Sequence, residues 1–337
     1  MNTLLRESGT IKAVCIHYFG GPESLCFEDV LAPEPAPGEV LVRVHAAGVN
    51  PFDWQVREGL LGPLPMPHTL GCDFSGMVEA LGPDVTDFFV GQSVFGHSGY
   101  GGAFAELIAA PVGGLAAKPP SVDDIDAAAT PLCALTAWQA LFDAADIRPG
   151  QKILIHGAAG GVGSFAVQLA LRHGAWVIAT ASSRNLSFLR RLGAQQVIDH
   201  TATRFEDVVK RVDVVLDLVG GQTQDRSWKV LRTDGRLVST VSVPSQTKAL
   251  LCGVRARKMQ TRTRADELTL MGDLIANGEI KAMVDKVLPL VRAPEALEMS
   301  RRGHVRGKIV LTIDPDTGHP DGPQWAVEKD PSQSASA

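Results

Sequence analysis

The sequence predicts an α/β protein of two domains: a β-rich, barrel-like unit, then a doubly wound parallel sheet. Three observations support that class. The chain has 337 residues, more than the roughly 100–200 that one domain ordinarily holds. Its first third consists of short β-branched runs separated by Gly/Pro turns. From residue 152 onward, apolar runs of strand length alternate with segments of helical spacing, as βαβ units require.

The elements follow in order. EVLVRVHAAGV (Glu39 to Val49) and SGMVEAL (Ser75 to Leu81) read as strands, and APEPAPGE (Ala32 to Glu39) as a turn. The pattern changes near Asp123, where DDIDAAATPLCALTAWQALFDAADI sets an acidic start before a run of helix formers and Pro149-Gly150 closes it. The domain boundary is placed there. KILIHGA (Lys152 to Ala158) is a strand, Gly161 to His173 a helix, WVIATA (Trp176 to Ala181) a strand and NLSFLRRLGA (Asn185 to Ala194) a helix. VDVVLDLVG (Val212 to Gly220) and GRLVSTVSV (Gly235 to Val243) supply later strands, ADELTLMGDLIANGEI (Ala265 to Ile280) a helix and KIVLTI (Lys308 to Ile313) a final strand. The segment from Asp314, rich in Pro, Gly, Ser and Asp, reads as a disordered tail.

Composition excludes several functions. With 32 Lys+Arg against 37 Asp+Glu the net charge is −5, so no overall positive field gathers nucleic acid or anionic membrane. No run of about 18 apolar residues occurs, and MNTLLRESGTIKAV lacks the apolar core of a signal peptide, so the expected location is the cytoplasm. Five widely spaced cysteines without a C-x-x-C pair argue against a disulfide framework and against a Cys-rich zinc lobe. RARKMQTRTR (Arg255 to Arg264) holds five cations but no aromatics, and is expected to be a solvated loop rather than a nucleic-acid site.

The strongest chemical signal is HGAAGGVGSFAVQLA (His156 to Ala170), in which Ala158, Gly160 and Gly163 occupy the three small positions of a G-x-G-x-x-G string. A strand precedes it and a helix follows, the context in which the string signifies dinucleotide binding. Small residues let the backbone approach a pyrophosphate, and the helix N-terminus offers N–H groups and a positive dipole end. Ala159, Gly160, Gly161, Val162 and Gly163 are therefore candidate cofactor ligands. About 19 residues beyond Gly163, where NAD sites carry a carboxylate for the ribose 2′-hydroxyl, stands Ser182. Ser182, Ser183 and Arg184 offer two hydroxyls and a guanidinium, a set suited to a 2′-phosphate. NADPH is expected over NADH.

AAGVNPFDW (Ala46 to Trp54), GCDFSGMVEALGPDVTDFFVGQSVFG (Gly71 to Gly96), GGAFAEL (Gly101 to Leu107), LTAWQAL (Leu135 to Leu141) and RGKIVLTI (Arg306 to Ile313) together resemble the medium-chain dehydrogenase/reductase superfamily. Within it the chain is similar to the zeta-crystallin-like quinone oxidoreductases, over residues 11 to 313. The resemblance implies a GroES-like β-barrel catalytic domain of residues 1–123 completed by 263–314, and a Rossmann NADP(H)-binding domain of 124–262, with 315–337 as the tail. It also implies a substrate in the interdomain cleft and a homodimer. The zinc enzymes of the superfamily carry ligands where this chain has Asn50, Gly71-Cys72-Asp73 and Leu132. Only Cys72 survives as a plausible ligand, whereas catalytic zinc takes three; no metal is expected.

The same resemblance assigns roles. Asn50 offers an amide to a carbonyl or to the cofactor, and Asp53 orders Asn50. Tyr100 is a candidate proton donor; Gln55 stands where some relatives have a tyrosine, which breaks an inherited tyrosine relay. Thr136 lies near the cofactor ribose and pyrophosphate, Leu218, Val219, Gly220, Ser242 and Val243 pass the nicotinamide, and Lys308 faces the cofactor cleft. The implied reaction is NADPH-dependent reduction of a quinone or of an α,β-unsaturated carbonyl (an enal or enone) by hydride transfer. Two alternatives stand beside it: an enoyl-thioester (CoA or carrier-protein) reductase, and an NADPH-binding sensor or RNA-binding protein with little turnover.

Overall fold

Alternation is clearest in Glu39–Val49, where every second side chain from Val40 to Ala46 is buried, and that strand is the spine of the first sheet. The computed structural model describes residues 9–313; the predicted tail lies outside them. In chain order the first part comprises β1 (Thr10–Ile16), β2 (Leu25–Leu31), β3 (Glu39–Val49), α1 (Pro51–Arg57), β4 (His68–Thr69), β5 (Asp73–Leu81), β6 (Ser93–His97), β7 (Leu107–Pro111) and β8 (Leu115–Ala117). β1 joins β2 and β4 in a small antiparallel sheet, while β3 pairs antiparallel with β5 and β7, and β5 continues to β6 and β8. Val40, Val42, Phe74, Val78 and Phe104 fill the enclosed core.

Two helices, α2 (Asp124–Ala128) and α3 (Pro131–Trp138), lead to the second sheet. Asp123 caps α2 by accepting from the Asp126 N–H, and Pro131 starts α3 where its missing N–H costs nothing. There follow β9 (Lys152–Ile155), α4 (Gly161–Arg172), β10 (Trp176–Ala181), α5 (Leu186–Arg191), β11 (Gln196–Asp199), α6 (Phe205–Val208), β12 (Val212–Asp217), α7 (Gly221–Ser227), β13 (Leu231–Ser239), α8 (Gln246–Cys252) and β14 (Arg255–Lys258). The sheet is parallel throughout, in the order β11-β10-β9-β12-β13-β14. Ile153 and Ile155 of β9 enter one core with Phe165 and Val177, and Leu154 enters another with Phe205 and Leu237. Both faces are thus covered, as a parallel sheet requires. This is a Rossmann-like sheet beside a GroES-like unit.

The chain then returns. α9 (Ala265–Ala276) packs Leu268 against Phe95 and Leu135 and Met271 into the core under the parallel sheet. β15 (Val284–Pro289), α10 (Ala293–Arg302) and β16 (Lys308–Thr312) complete the chain, β16 pairing antiparallel with the end of β3. Just before β16, the Gly307 N–H donates to the Ala159 carbonyl at 2.8 Å, which ties the glycine loop to the first domain.

Three expectations need correction. Arg255–Lys258, expected as part of a solvated loop, is the outermost strand of the parallel sheet. Its side chains are mostly exposed with Ala256 half-buried, so three charged residues and one alanine gave no strand signal. The run Gly235 to Val243 ends as a strand at Ser239, whose Oγ accepts from the N–H groups of Val241 and Ser242 and turns the chain. Val212 to Gly220 likewise ends at Asp217, after which Gly220 adopts φ +78°.

Candidate active site

Pro51 at the first position of α1 and Asn50 in extended backbone before it fix where the helix begins. The Asn50 N–H donates to Asp53 Oδ2 at 2.7 Å, so a carboxylate inside the helix caps its own start. The Asn50 side chain also enters a buried polar cluster. Nδ2 donates to Asp73 Oδ2 at 2.8 Å, and Oδ1 accepts from Lys308 Nζ at 2.5 Å.

Asp73, the first residue of β5, is the hub. Its Oδ1 takes His97 Nδ1 at 2.9 Å and the Leu132 N–H at 3.1 Å. Its Oδ2 takes Asn50 and, at 3.3 Å, Lys308 Nζ. Burial pushes the Asp73 carboxyl up, but Lys308, His97 and Asn50 outweigh it and hold the group below the usual carboxylate range. For Lys308 burial acts downward, and Cys133, Asp73 and Asp53 raise it above its ordinary value. The ion pair is therefore charged on both sides. Asp53 differs: burial raises it to about 7 against the Asn50 N–H, and among the described residues its Oδ1 has no hydrogen-bond partner. Burial also raises the thiols of Cys72 and Cys133, which keeps both protonated near neutrality.

The glycine loop lies against this cluster. A Cβ on Gly161 would meet Cys133 Sγ at 2.7 Å and Lys308 Cδ at 3.2 Å. Gly163 allows α4 to press on β9's end, since a Cβ there would lie 2.4 Å from the Gly157 carbonyl oxygen. Gly160 precedes α4 in extended backbone, with Ala159 before it and Val162 in the first turn. Ser182 is half-buried, and Ser183 and Arg184 are exposed, just past the end of β10. Arg184 donates to the His304 carbonyl, and Arg306 donates to Asn185 Oδ1 and to the Arg184 carbonyl. Two guanidiniums thus stand at the end of the second strand.

Past β12, Asp217 Oδ1 accepts the N–H groups of Val219 and Gly220, which holds the Leu218–Val219–Gly220 turn. Gln224 Nε2 binds both Asp217 Oδ2 and Ser242 Oγ, so this turn and the Ser242–Val243 turn are locked together. Thr136 is buried with its hydroxyl bonded to the Leu132 carbonyl and to Thr261 Oγ1. Tyr100 is exposed, its ring 5.9 Å from that of Phe52, and among the described residues it has no bond to the buried cluster.

The structure therefore brings Asn50, Asp53 and Lys308 together and leaves Tyr100 outside. Sequence reasoning missed Asp73, His97, Cys133 and Arg306. Asp73 stands in the Gly71-Cys72-Asp73 string, where only the absence of metal ligands drew notice. His97 comes from the strand partner of Asp73, and that register leaves no local mark. Arg306 was within reach, two residues before Lys308.

Comparison with known proteins places the chain in a family. The family model for the alcohol dehydrogenase GroES-like domain matches residues 36–120, and that for zinc-binding dehydrogenases matches residues 192–311. The quinone oxidoreductase of Mus musculus is 31% identical over 324 residues, 90% of this chain and 98% of the relative. The structure of the quinone oxidoreductase from Coxiella burnetii superposes with TM-score 0.85 at 34% identity, covering 90% of this chain and all of that one. The structure of the CurK enoyl reductase matches with TM-score 0.82 at 26% identity, over 90% of this chain and 99% of that one. A GroES-like unit, a Rossmann-like sheet and relatives of this kind make the chain a member of the medium-chain dehydrogenase/reductase superfamily, in its quinone oxidoreductase branch, and an oxidoreductase that works with a nicotinamide cofactor.

Proposed function

We propose that the protein is an NADPH-dependent, metal-independent reductase of quinones or α,β-unsaturated carbonyls. One observation carries the reading: the ammonium of Lys308 is bonded to Asn50, which stands at a metal-ligand position of zinc relatives, and to the neighbouring Asp73. Those residues do not fit zinc. Asn50 presents a neutral amide whose oxygen is already taken, Cys72 is held as a thiol by burial, and Leu132 offers only an apolar side chain. A dication would also face the repulsion of a fixed cation. Without a Lewis acid to stabilise an alkoxide, alcohol oxidation is disfavoured. Acceptors that delocalise the incoming electron pair onto oxygen remain within reach of hydrogen bonding alone.

The glycine loop of Ala159 to Gly163 suits a pyrophosphate at the N-terminus of α4. Ser182, Ser183, Arg184 and the neighbouring Arg306 suit a 2′-phosphate, and the absence of a carboxylate there favours NADPH over NADH. NADPH supplies the hydride. In the enone case the new C–H bond forms at the β-carbon, the π electrons move to the carbonyl oxygen, and a solvent proton at the α-carbon completes the saturated product. The chain's own part is to hold donor and acceptor in register and to present Asn50 to the developing charge on oxygen. The reading is tested with protein stripped by EDTA: turnover of a quinone or enone with NADPH is expected to persist, and its loss with recovery on adding Zn²⁺ contradicts it.

The similarity to the CurK enoyl reductase favours a second reading, reduction of an enoyl thioester, which crotonyl-CoA tests directly. We also propose a homodimer. β14 leaves one edge of the parallel sheet without a partner among the described residues, and Leu250 and Leu251 on the adjoining α8 are 83% and 81% exposed. Light scattering distinguishes one copy from two. Among the described residues no helix is long and apolar enough to cross a membrane, and the cytoplasm is the proposed location.

A further inference from the structure

The Asn50 amide is oriented by chemistry as well as by geometry. An ammonium has no acceptor and an ionised carboxylate has no donor, so a flipped amide would lose its bonds to both Lys308 and Asp73. Oδ1 therefore receives Lys308 Nζ, with the Cys133 thiol also directed at it from 3.8 Å. One Nδ2 proton is used by Asp73. The second has no partner among the described residues.

This arrangement is shielded from bulk solvent. Asn50, Lys308 and Asp73 are 1%, 3% and 0% exposed, so water does not screen the ammonium from the amide. A hydrogen bond from a cation to an amide oxygen draws electron density from the nitrogen and makes its remaining N–H a stronger donor, and a low local dielectric enhances the effect. The cluster also lies directly against Gly161 of the cofactor loop. We propose that Lys308 is a positioning residue that polarises the Asn50 amide, so that its free N–H acts as the electrophile for the carbonyl oxygen of the acceptor. The site then carries its own fixed cation, one bond removed from the substrate. This inference rests on the reductase reading above and names the part of the chain that replaces a Lewis acid.

Two measurements test it, one of them independent of turnover. The sequence contains four asparagines, Asn2, Asn50, Asn185 and Asn277, so protein labelled with [15N]asparagine gives few side-chain amide signals, and N50A assigns the one of interest. In Lys308→Met the Asn50 amide protons are expected to move upfield; unchanged shifts overturn the proposal. In single-turnover reduction of an enone, Lys308→Met is expected to slow hydride transfer about tenfold or more, the scale of a lost oxyanion donor. NADPH affinity should stay within about twofold, and Lys308→Arg should recover part of the rate. In an Asn50→Ala background the same Lys308 change should cost little, because the two act in series.

A full rate loss in that background overturns the proposal, as does an unchanged rate with weakened NADPH binding, which would make Lys308 a ligand of the cofactor phosphates. If Lys308→Met alone does not fold, Lys308→Met with Asp73→Asn removes both charges and is read by the same criteria. A wild-type protein that reduces no acceptor defeats the reductase reading, and the amide shift then decides the polarisation by itself.

Discussion

Lys308 Nζ stands 3.3 Å from Asp73 Oδ2, and neither side chain reaches solvent to any useful extent. The pair joins the start of β16 to the start of β5, so it links distant parts of the chain. Removing one partner strands a buried charge. Asp73→Asn is expected to destabilise the protein by about 3–5 kcal/mol in denaturant unfolding, and adding Lys308→Met is expected to recover part of that loss. Additive losses in the double variant would show that the two charges do not interact.

The glycine loop separates folding from binding. At Gly163 a Cβ would lie 2.4 Å from the Gly157 carbonyl oxygen and 2.6 Å from Ala158 Cα, both backbone atoms that cannot swing aside. Gly163→Ala should cost about 1–3 kcal/mol of stability. At Gly160 the nearest atom is 3.5 Å away, so Gly160→Ala should keep the wild-type Tm. It should still weaken NADPH binding in fluorescence titration, because the proposed pyrophosphate site relies on the close backbone approach that a glycine allows. Equal loss of Tm in both variants would contradict the assignment.

On the proposed reading, the two guanidiniums beyond β10 select the cofactor. Arg184→Ala and Arg306→Ala are each expected to weaken NADPH binding about tenfold, one charge-assisted contact, with NADH affected less than about twofold. Arg306 also lies 5.5 Å over the Phe188 ring, so a small drop in Tm should accompany its replacement. Equal weakening of both cofactors would remove the 2′-phosphate from this place.

Asp53 gives the protein a pH signature. Its ordinary value of 3.8 is raised to about 7 by burial. Between those values the folded protein holds a proton that the unfolded chain releases, so this contribution to stability is full below about 4 and is lost as pH rises through 7. The slope is at most about 1.4 kcal/mol per pH unit. His156, lowered to about 4 by burial, acts in the opposite sense, so the comparison must be with Asp53→Asn, whose side chain can still accept from Asn50. The variant should gain stability relative to wild type between pH 5 and pH 8. A difference that stays constant with pH would mean Asp53 is ionised throughout.

Much of this site was legible in the sequence because its signals are local. The glycine spacing after Lys152, the Ser182–Arg184 triplet and the Asn50–Pro51–Asp53 start of α1 lie within short windows, where helix caps and turns are written. Asp73, His97 and Cys133 come together only through strand register and the packing of α3, and no window contains all of them. Lys308 shows the difference well. Its place in RGKIVLTI marked it as a cofactor residue, yet its bonds reach 235 and 258 positions back, to Asp73 and Asn50. The edge strand at Arg255 was hidden for another reason: an outermost strand needs few apolar residues, so its composition matched that of a loop.

The most direct measurement is NADPH oxidation at 340 nm by EDTA-treated protein, with 1,4-benzoquinone, 9,10-phenanthrenequinone, an enal, an enone and crotonyl-CoA as acceptors and NADH in parallel. Turnover of a quinone or an enal or enone, with NADPH preferred and no response to added Zn²⁺, is the predicted result. Activity that appears only with Zn²⁺, or no turnover of any acceptor while NADPH still binds, would contradict a metal-free reductase built around Asn50 and Lys308.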